Sequence, residues 1–317
     1  LFDDSVQIQD IRLCKALGKD SILIVDSKRS ILLFVGGKYI KKIGNCGGGG
    51  NEYRSIHSLT VSGDTLFILD SDNSSIIGYS LLFNHVVYRI QNPKIFLLDV
   101  ITRNSNGEFI LVDRQIPAAQ HLDRQTNVFY QLNSNSLRNP TEQLLPIEFC
   151  LSNITPPKLS LPVIDRDLPN VLSWSTNEQE LCVAFPYCSK VVFVEPTTPS
   201  FRILETDILV QRNDKAASQK NDFELLSNSE TIEGVFTLKN CIAFVAKRRG
   251  DYRILFYKFD NSNAIEFLGN LNIPQNSSYT MYQILDVTES SFTVLCATKK
   301  IEKHPFCVIR YTFSSQS

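Results

Sequence analysis

Three aspartates recur in this 317-residue sequence at intervals of 44 and then 43 residues. Asp26, Asp70 and Asp113 each close a run of four apolar residues, at 22–25, 66–69 and 109–112. Two chemistries are open to a carboxylate so placed. It can accept hydrogen bonds from backbone N–H groups two residues on and close a turn, or several can converge on a divalent cation. The stretch Asp70-Ser71-Asp72-Asn73 opens like a calcium loop. The sixth and twelfth positions of such a loop require Gly and a bidentate Glu, and here they are Ser75 and Leu81. The expected role is therefore the turn.

Other chemistry-bearing residues are weighed in the same way. Gly44 and Gly47–Gly50 could cradle an anion with their amides. No Gly-Lys-Ser/Thr follows them and no strand-to-helix context surrounds them, so a nucleotide loop is not expected. Neither G-x-S-x-G nor H-E-x-x-H occurs. His57, His85, His121 and His304 fall in different parts of the chain, and each reads as an ordinary surface or satisfied residue. None of the eight cysteines forms a C-x-x-C, and they read as small apolar side chains. The alternative, a cross-strand disulfide, applies to Cys296 and Cys307, which flank a turn. No metal site and no cofactor is assigned.

The elements that must position these residues follow from the repeat. Around Asp26 and Asp70 a buried-type strand, a polar turn and a second strand succeed one another, and Asp113 ends the same kind of strand. Four short strands per unit are expected at 6–14, 21–25, 30–35 and 39–43, then at 55–61, 65–69, 75–79 and 86–90, then at 96–102, 108–112, 119–122 and 128–132. Three further units are fainter. Four short strands at a period of roughly 40–50 residues is the signature of a propeller blade. The expectation is one all-β domain over 1–317, a six-bladed β-propeller with four-stranded antiparallel blades at 6–44, 53–91, 95–132, 171–204, 231–269 and 280–313. The Pro-rich stretch 133–170 and the polar stretch 205–229 are read as excursions. The alternative is a fusion of two smaller β-rich domains joined by 133–170. The last unit shows three strands, so the stub 1–5 or a strand upstream of Leu1 is expected to complete it.

The link between the first two units, Ile43-Gly44-Asn45-Cys46-Gly47-Gly48-Gly49-Gly50-Asn51-Glu52-Tyr53, resembles the NHL-type linker I-G-x-x-G-x-G-P-G-E-[FY]. Gly50 stands at the Pro and Asn51 at the last Gly, a position that Asn can fill because it tolerates positive φ. Asp70-Ser-Asp-Asn-Ser-Ser-Ile76 is similar to the NHL turn D-x-x-N-x-x-I. With Gly36-Gly37-Lys38-Tyr39 and Phe185-Pro186-Tyr187, the chain resembles the six-bladed propeller lipoproteins of gut anaerobic bacteria, closely in the first three units and loosely after them. The resemblance implies an NHL/TolB-like fold and an exported, periplasmic or cell-surface protein, with a lipid anchor upstream of Leu1. It implies no established activity.

Composition narrows the function classes. Lys and Arg number 32 against 33 Asp and Glu, for a net charge of −1, and the basic clusters at 41–42, 247–249 and 299–300 are short. This excludes the continuous basic stripe of a nucleic-acid binder. No run approaches the ~18 apolar residues that a membrane span requires. In four-stranded blades, turns between the second and third strands share an end with the blade-to-blade linkers. Asp26, Asn51, Glu52, Asp70, Asp113, Tyr187, Lys247 and Arg248 are therefore expected on one binding face. Arg54, His57, Asp99, Glu233 and Gln283 are expected near the first strands, which line the channel. The leading expectation is a monomeric binding or scaffold module for a protein or glycan. The alternative is a hydrolase or lyase with a divalent metal at the channel mouth, to which Asp99 and Glu233 would contribute.

Overall fold

The computed structural model describes residues 6, 8, 10–18, 20–103, 107–113, 129–132, 144–147, 171–174, 181–184, 190–195, 200–206, 230–238, 241–259, 265–273, 275, 278–298 and 306–313. Among these residues the chain is all-β apart from two short 3₁₀ turns, Ser71–Asn73 and Pro93–Leu97. The first sheet holds β1 (Ile11–Ala16), β2 (Ser21–Asp26), β3 (Ile31–Val35) and β4 (Lys38–Ile43). The second holds β5 (Ser58–Ser62), β6 (Thr65–Asp70), β7 (Ser75–Ser80) and β8 (Val86–Gln91). The third holds β9 (Leu98–Arg103), β10 (Phe109–Asp113), β11 (Phe129–Leu132) and β12 (Leu144–Ile147). The fourth holds β13 (Val171–Trp174), β14 (Leu181–Ala184), β15 (Lys190–Glu195) and β16 (Ser200–Glu205). The fifth holds β17 (Thr231–Thr237), β18 (Cys241–Arg248), β19 (Asp251–Phe259) and β20 (Ile265–Asn272). The sixth, among the described residues, has three strands, β21 (Tyr279–Val287), β22 (Ser291–Thr298) and β23 (Phe306–Thr312). Each sheet is a meander whose strand order follows the chain.

Two compact units divide the chain. One takes in Leu1–Arg103, Ser136–Glu142 and Gln275–Ser317, and the other Asn104–Asn135 and Gln143–Pro274. Within the first unit, β5 lies beside β9 and β1 beside β21; within the second, β13 lies beside β17. First strands of successive sheets are thus neighbours, as in a propeller.

The apolar runs are continuous because both faces of the middle strands are covered. Along β2, Leu23 and Val25 pack with Ile31, Ile43, Leu66, Ile68 and Ile77 toward the second sheet. Ile24, between them in sequence, points the other way and packs with Leu285, Leu295 and Phe306 of the sixth. In the second unit Cys182 and Phe193 of the fourth sheet pack against Ile232, Phe244 and Leu255 of the fifth. Burying a side chain of this size stabilises the fold by roughly 1.5–3 kcal/mol.

One difference from the sequence reading concerns the third sheet. The strand at 129–132 pairs directly with β10 and is the third strand, not the fourth. The fourth is β12, which lies inside the stretch read as an excursion and sets Pro146 opposite Tyr130. Proline disguised it. The residue lacks an N–H, but β12 is the outermost strand, where one edge needs no ladder donor. The segments 1–5, 119–122 and 207–229 lie outside the described residues, and so does the proposed closing stub.

Candidate functional site

The linker Ile43–Tyr53 is held by its own backbone. Gly47 N–H donates to the Tyr53 carbonyl at 2.8 Å, Tyr53 N–H to the Asn45 carbonyl at 3.0 Å, and Glu52 N–H to the Gly49 carbonyl at 3.0 Å. The Gly49 amide is taken by Glu52 Oε2 at 2.8 Å, so this amide of the glycine run already has an internal acceptor. Gly44 has φ +61, and a Cβ there would stand 2.7 Å from the Tyr79 ring. Gly50 faces open space, and neither it nor Asn51 adopts a positive φ. The departures from the linker pattern at these two positions therefore cost no backbone strain, and the tolerance of Asn for positive φ is not needed. Tyr53 is fully buried edge-on against Tyr79, with ring centroids 6.2 Å apart. Tyr79 Oη donates to the Asn51 carbonyl at 2.7 Å. Burial pushes the Tyr79 phenol up to about 12, against the pull of Arg89, so it stays a neutral donor.

Asp70 ties this linker to the second sheet. Its Oδ1 accepts from the Ser55 amide and hydroxyl, each at 2.9 Å. Its Oδ2 accepts from the Arg54 amide at 2.9 Å and from Asn73 Nδ2 at 2.7 Å. The fully buried carboxylate thus has four donors, all on the protein, and acts as an anchor. Asp26 does a smaller version of this, accepting from the Ser30 amide at 2.7 Å.

The turn after Asp26 carries the less expected feature. Arg29 sits in the left-handed region at φ +63. Glycine commonly fills that position in hairpin turns, and another L-residue costs roughly 1–2 kcal/mol there. Arg29 Nη1 donates to the Arg54 carbonyl at 2.6 Å, which aims the guanidinium across the linker. Beside it is a cavity of about 300 Å³ lined by Arg12, Leu13, Arg29, Ser55, Ile56, His57 and Asp72. Four separate segments of the first unit meet there: the start of β1, the β2–β3 turn, the linker and the 3₁₀ turn after β6. Neither Arg12 nor Arg29 is paired with a carboxylate among the described residues, so the residues around the pocket include two arginines without such a partner and one acidic residue, Asp72. A second cavity of about 260 Å³ lies at the other end of the first sheet, lined in part by Gly18, Asp20, Gly36 and Arg310.

The structure places the remaining sequence-predicted residues as follows. His57 lines the larger cavity, and exposed Arg54 adjoins it through its carbonyl. Glu52 is half-buried and accepts from the Gly49 amide, and Asn51 is exposed. Asp113 is the last residue of β10 and Asp99 lies in β9. Gln283 is exposed on β21. In the second unit Lys247 stands 5.1 Å from the Tyr252 ring centroid. Burial would lower its pKa, but the Tyr252 hydroxyl and Glu233 outweigh this and raise it. Glu233 is exposed and accepts from Thr231 Oγ1 at 2.9 Å, and the buried Nε of Arg248 has no hydrogen-bond partner among the described residues. Tyr187, His121 and His304 lie outside the described residues, as do Cys150 and Cys188. Among the described residues, no three His, Cys, Asp or Glu side chains gather as a metal site would require. Cys296 and Cys307 face each other as register partners, yet no disulfide joins them. Sequence reasoning missed Arg12 and Arg29. The available signal was a large cation three residues after Asp26, where a hairpin turn favours Gly or Asn.

Several solved structures are similar to this chain, and the first of them shares its fold. A member of the DUF4221 family from Bacteroides vulgatus superposes with a TM-score of 0.62 at 10% identity, over 98% of this chain and 96% of that one. A functionally unknown protein from Desulfotomaculum acetoxidans gives 0.49 at 11% identity, over 97% and 91%. The β-propeller domain of Cps50 (Swd1) from Myceliophteria thermophila gives 0.48 at 10%, over 92% and 80%. None of the curated proteins matches the chain in sequence. Among the described residues no helix is long and apolar enough to cross a membrane. Residues 3–166, just over half of the sequence, match the profile of DUF5128, described as a 6-bladed beta-propeller, and the chain belongs to that family.

Proposed function

We propose that this chain is an exported propeller that binds a protein or glycan partner at the end of its sheets where the linkers and the second turns gather. The observation that carries this reading is the polar cavity beside the first linker, which four chain segments line. Small-molecule and side-chain recognition sites are concave and hold a few convergent polar groups, and this cavity fits the lower end of their size range. The linker around it is rigid, since Asp70, Tyr79 and Arg89 all hold its backbone. A rigid frame lowers the ordering cost of binding.

Cys46 offers the test, because it is an exposed thiol on this linker. The full chain, untreated or carrying a bulky maleimide, is used to capture partners from envelope extract and to probe a glycan array. Loss of capture on labelling, together with full capture by labelled Cys46→Ser, supports the reading. Capture that is indifferent to the label, or no saturable partner of either kind, overturns it. Fractionation of the native cell checks export separately.

A further inference from the structure

The cavity beside the first linker has a charge and shape that specify its ligand more closely. We infer that Arg12 and Arg29 form a receptor for the carboxylate of an acidic peptide segment, with Asp72 taking a backbone N–H of the same segment. The inference rests on the binding reading above. Arg12 and Arg29, neither with a carboxylate partner among the described residues, line one concave site. A guanidinium's planar fork matches a carboxylate better than any other side chain does. Arg29 is pre-aimed by its hydrogen bond to the Arg54 carbonyl, and it occupies a left-handed position that a purely structural turn would give to glycine. Strain of this kind is retained where the side chain has a task. The floor beneath is fixed, because the Arg54 and Ser55 amides are both held by Asp70.

Leu13 and Ile56 supply an aliphatic wall suited to the methylenes of a Glu side chain. No Trp, Tyr or Phe lines the cavity among the described residues, so it offers no platform on which a sugar ring would stack. Of acidic ligands, a peptide therefore fits better than an acidic glycan. Asp72 is exposed, and its own amide is turned inward to Ser55 Oγ at 3.1 Å, which fixes where its carboxylate begins.

The test uses the full chain and fluorescein-labelled hexaglutamate, read by anisotropy. Hexaglutamine is the neutral control, oligogalacturonate the glycan competitor, and Lys38→Gln a variant with the same loss of charge elsewhere. Saturable hexaglutamate binding that weakens with salt is expected. Arg12→Gln and Arg29→Gly should each weaken it about tenfold, as loss of a charged hydrogen bond does, and Lys38→Gln should leave it intact. Arg29→Gly should keep the parent melting temperature or exceed it, so that lost binding is not lost folding. Equal weakening by Lys38→Gln, tighter binding of oligogalacturonate, or no binding at all would each overturn the assignment. If label-sensitive partner capture survives in the Arg12→Gln/Arg29→Gly double variant, this pocket assignment falls while the broader binding reading stands.

Discussion

The carboxylate of Asp70 grips Ser55 twice, through its amide and through its hydroxyl, each at 2.9 Å. Two more donors complete its shell, and none of the four can be replaced by water at a fully buried site. Asp70→Asn puts an NH₂ where an acceptor oxygen stood and sets donor against donor. Each buried donor left unmet costs about 1–3 kcal/mol. A loss of about 2–4 kcal/mol is expected in urea unfolding, seen as a lower midpoint.

The glycines of the linker are unequal, and substitution separates them. Gly44→Ala meets both a positive φ and the Tyr79 ring at 2.7 Å, and should cost about 2–3 kcal/mol. Gly50→Ala meets nothing and should stabilise by about 0.4–1 kcal/mol through the unfolded chain. Thermal melts of the two variants should move in opposite directions.

In the fifth sheet region, buried Glu230 takes Arg253 in a bidentate pair, with Nε donating to Oε1 at 2.6 Å and Nη2 to Oε2. Removing Arg253 takes two charge-assisted hydrogen bonds from a buried carboxylate. Arg253→Ala is expected to cost about 2–4 kcal/mol, toward the low end of buried pairs because the arginine is partly exposed. Replacing both residues by Met should recover much of the loss, measured as a double-mutant cycle.

Asp286 has its pKa raised, first by burial, with Arg310 pulling the other way. Its folded pKa lies above its unfolded one, so ionisation is harder in the folded chain. The group therefore disfavours the fold above the folded pKa, and this penalty fades as pH falls through it. Asp286→Asn should raise the melting temperature at pH 7 and flatten the pH dependence between neutral and mildly acidic conditions.

The thiols differ in reach. Burial pushes Cys14 and Cys296 up to about 12, with the neighbouring Cys307 thiol adding to the rise at Cys296, while Cys46 is exposed. Because only the thiolate reacts, iodoacetamide at pH 8 should alkylate Cys46 well before Cys14 or Cys296 in the folded chain, as peptide mass spectrometry would record.

What was legible in the sequence was what is local. The Asp26 turn shows in the sequence because the carboxylate and the Ser30 amide it binds are four residues apart. Asp70, by contrast, does not close its own turn through an amide two residues on but reaches back to the Arg54 and Ser55 amides, which the spacing of the repeat does not reveal. The linker shows because its glycines answer to backbone geometry. The strand β12 hid behind Pro146, since an edge strand relaxes the rule that makes strands readable. The pocket hid for another reason: positions 12, 29, 55–57 and 72 meet only once β1 pairs with β2 and the linker docks on Asp70. His57 stands just before a first strand, where the sequence suggests a channel residue, but nothing local marks Arg12 as its neighbour.

The Asp70 anchor has one more consequence. It bonds the Arg54 and Ser55 amides, where the linker enters the second sheet, to the carboxylate that ends a strand of that sheet, while Tyr79 holds the Asn51 carbonyl. Asn84 Nδ2, between two strands of the second sheet, also donates to the Lys42 carbonyl of the first at 3.1 Å, so neither sheet can melt without breaking bonds to the other. In a chain of repeats, stability is shared through such nearest-neighbour couplings. The first two sheets should therefore behave as a single cooperative element in hydrogen exchange, with the glycine linker protected along with the strands it joins rather than opening ahead of them.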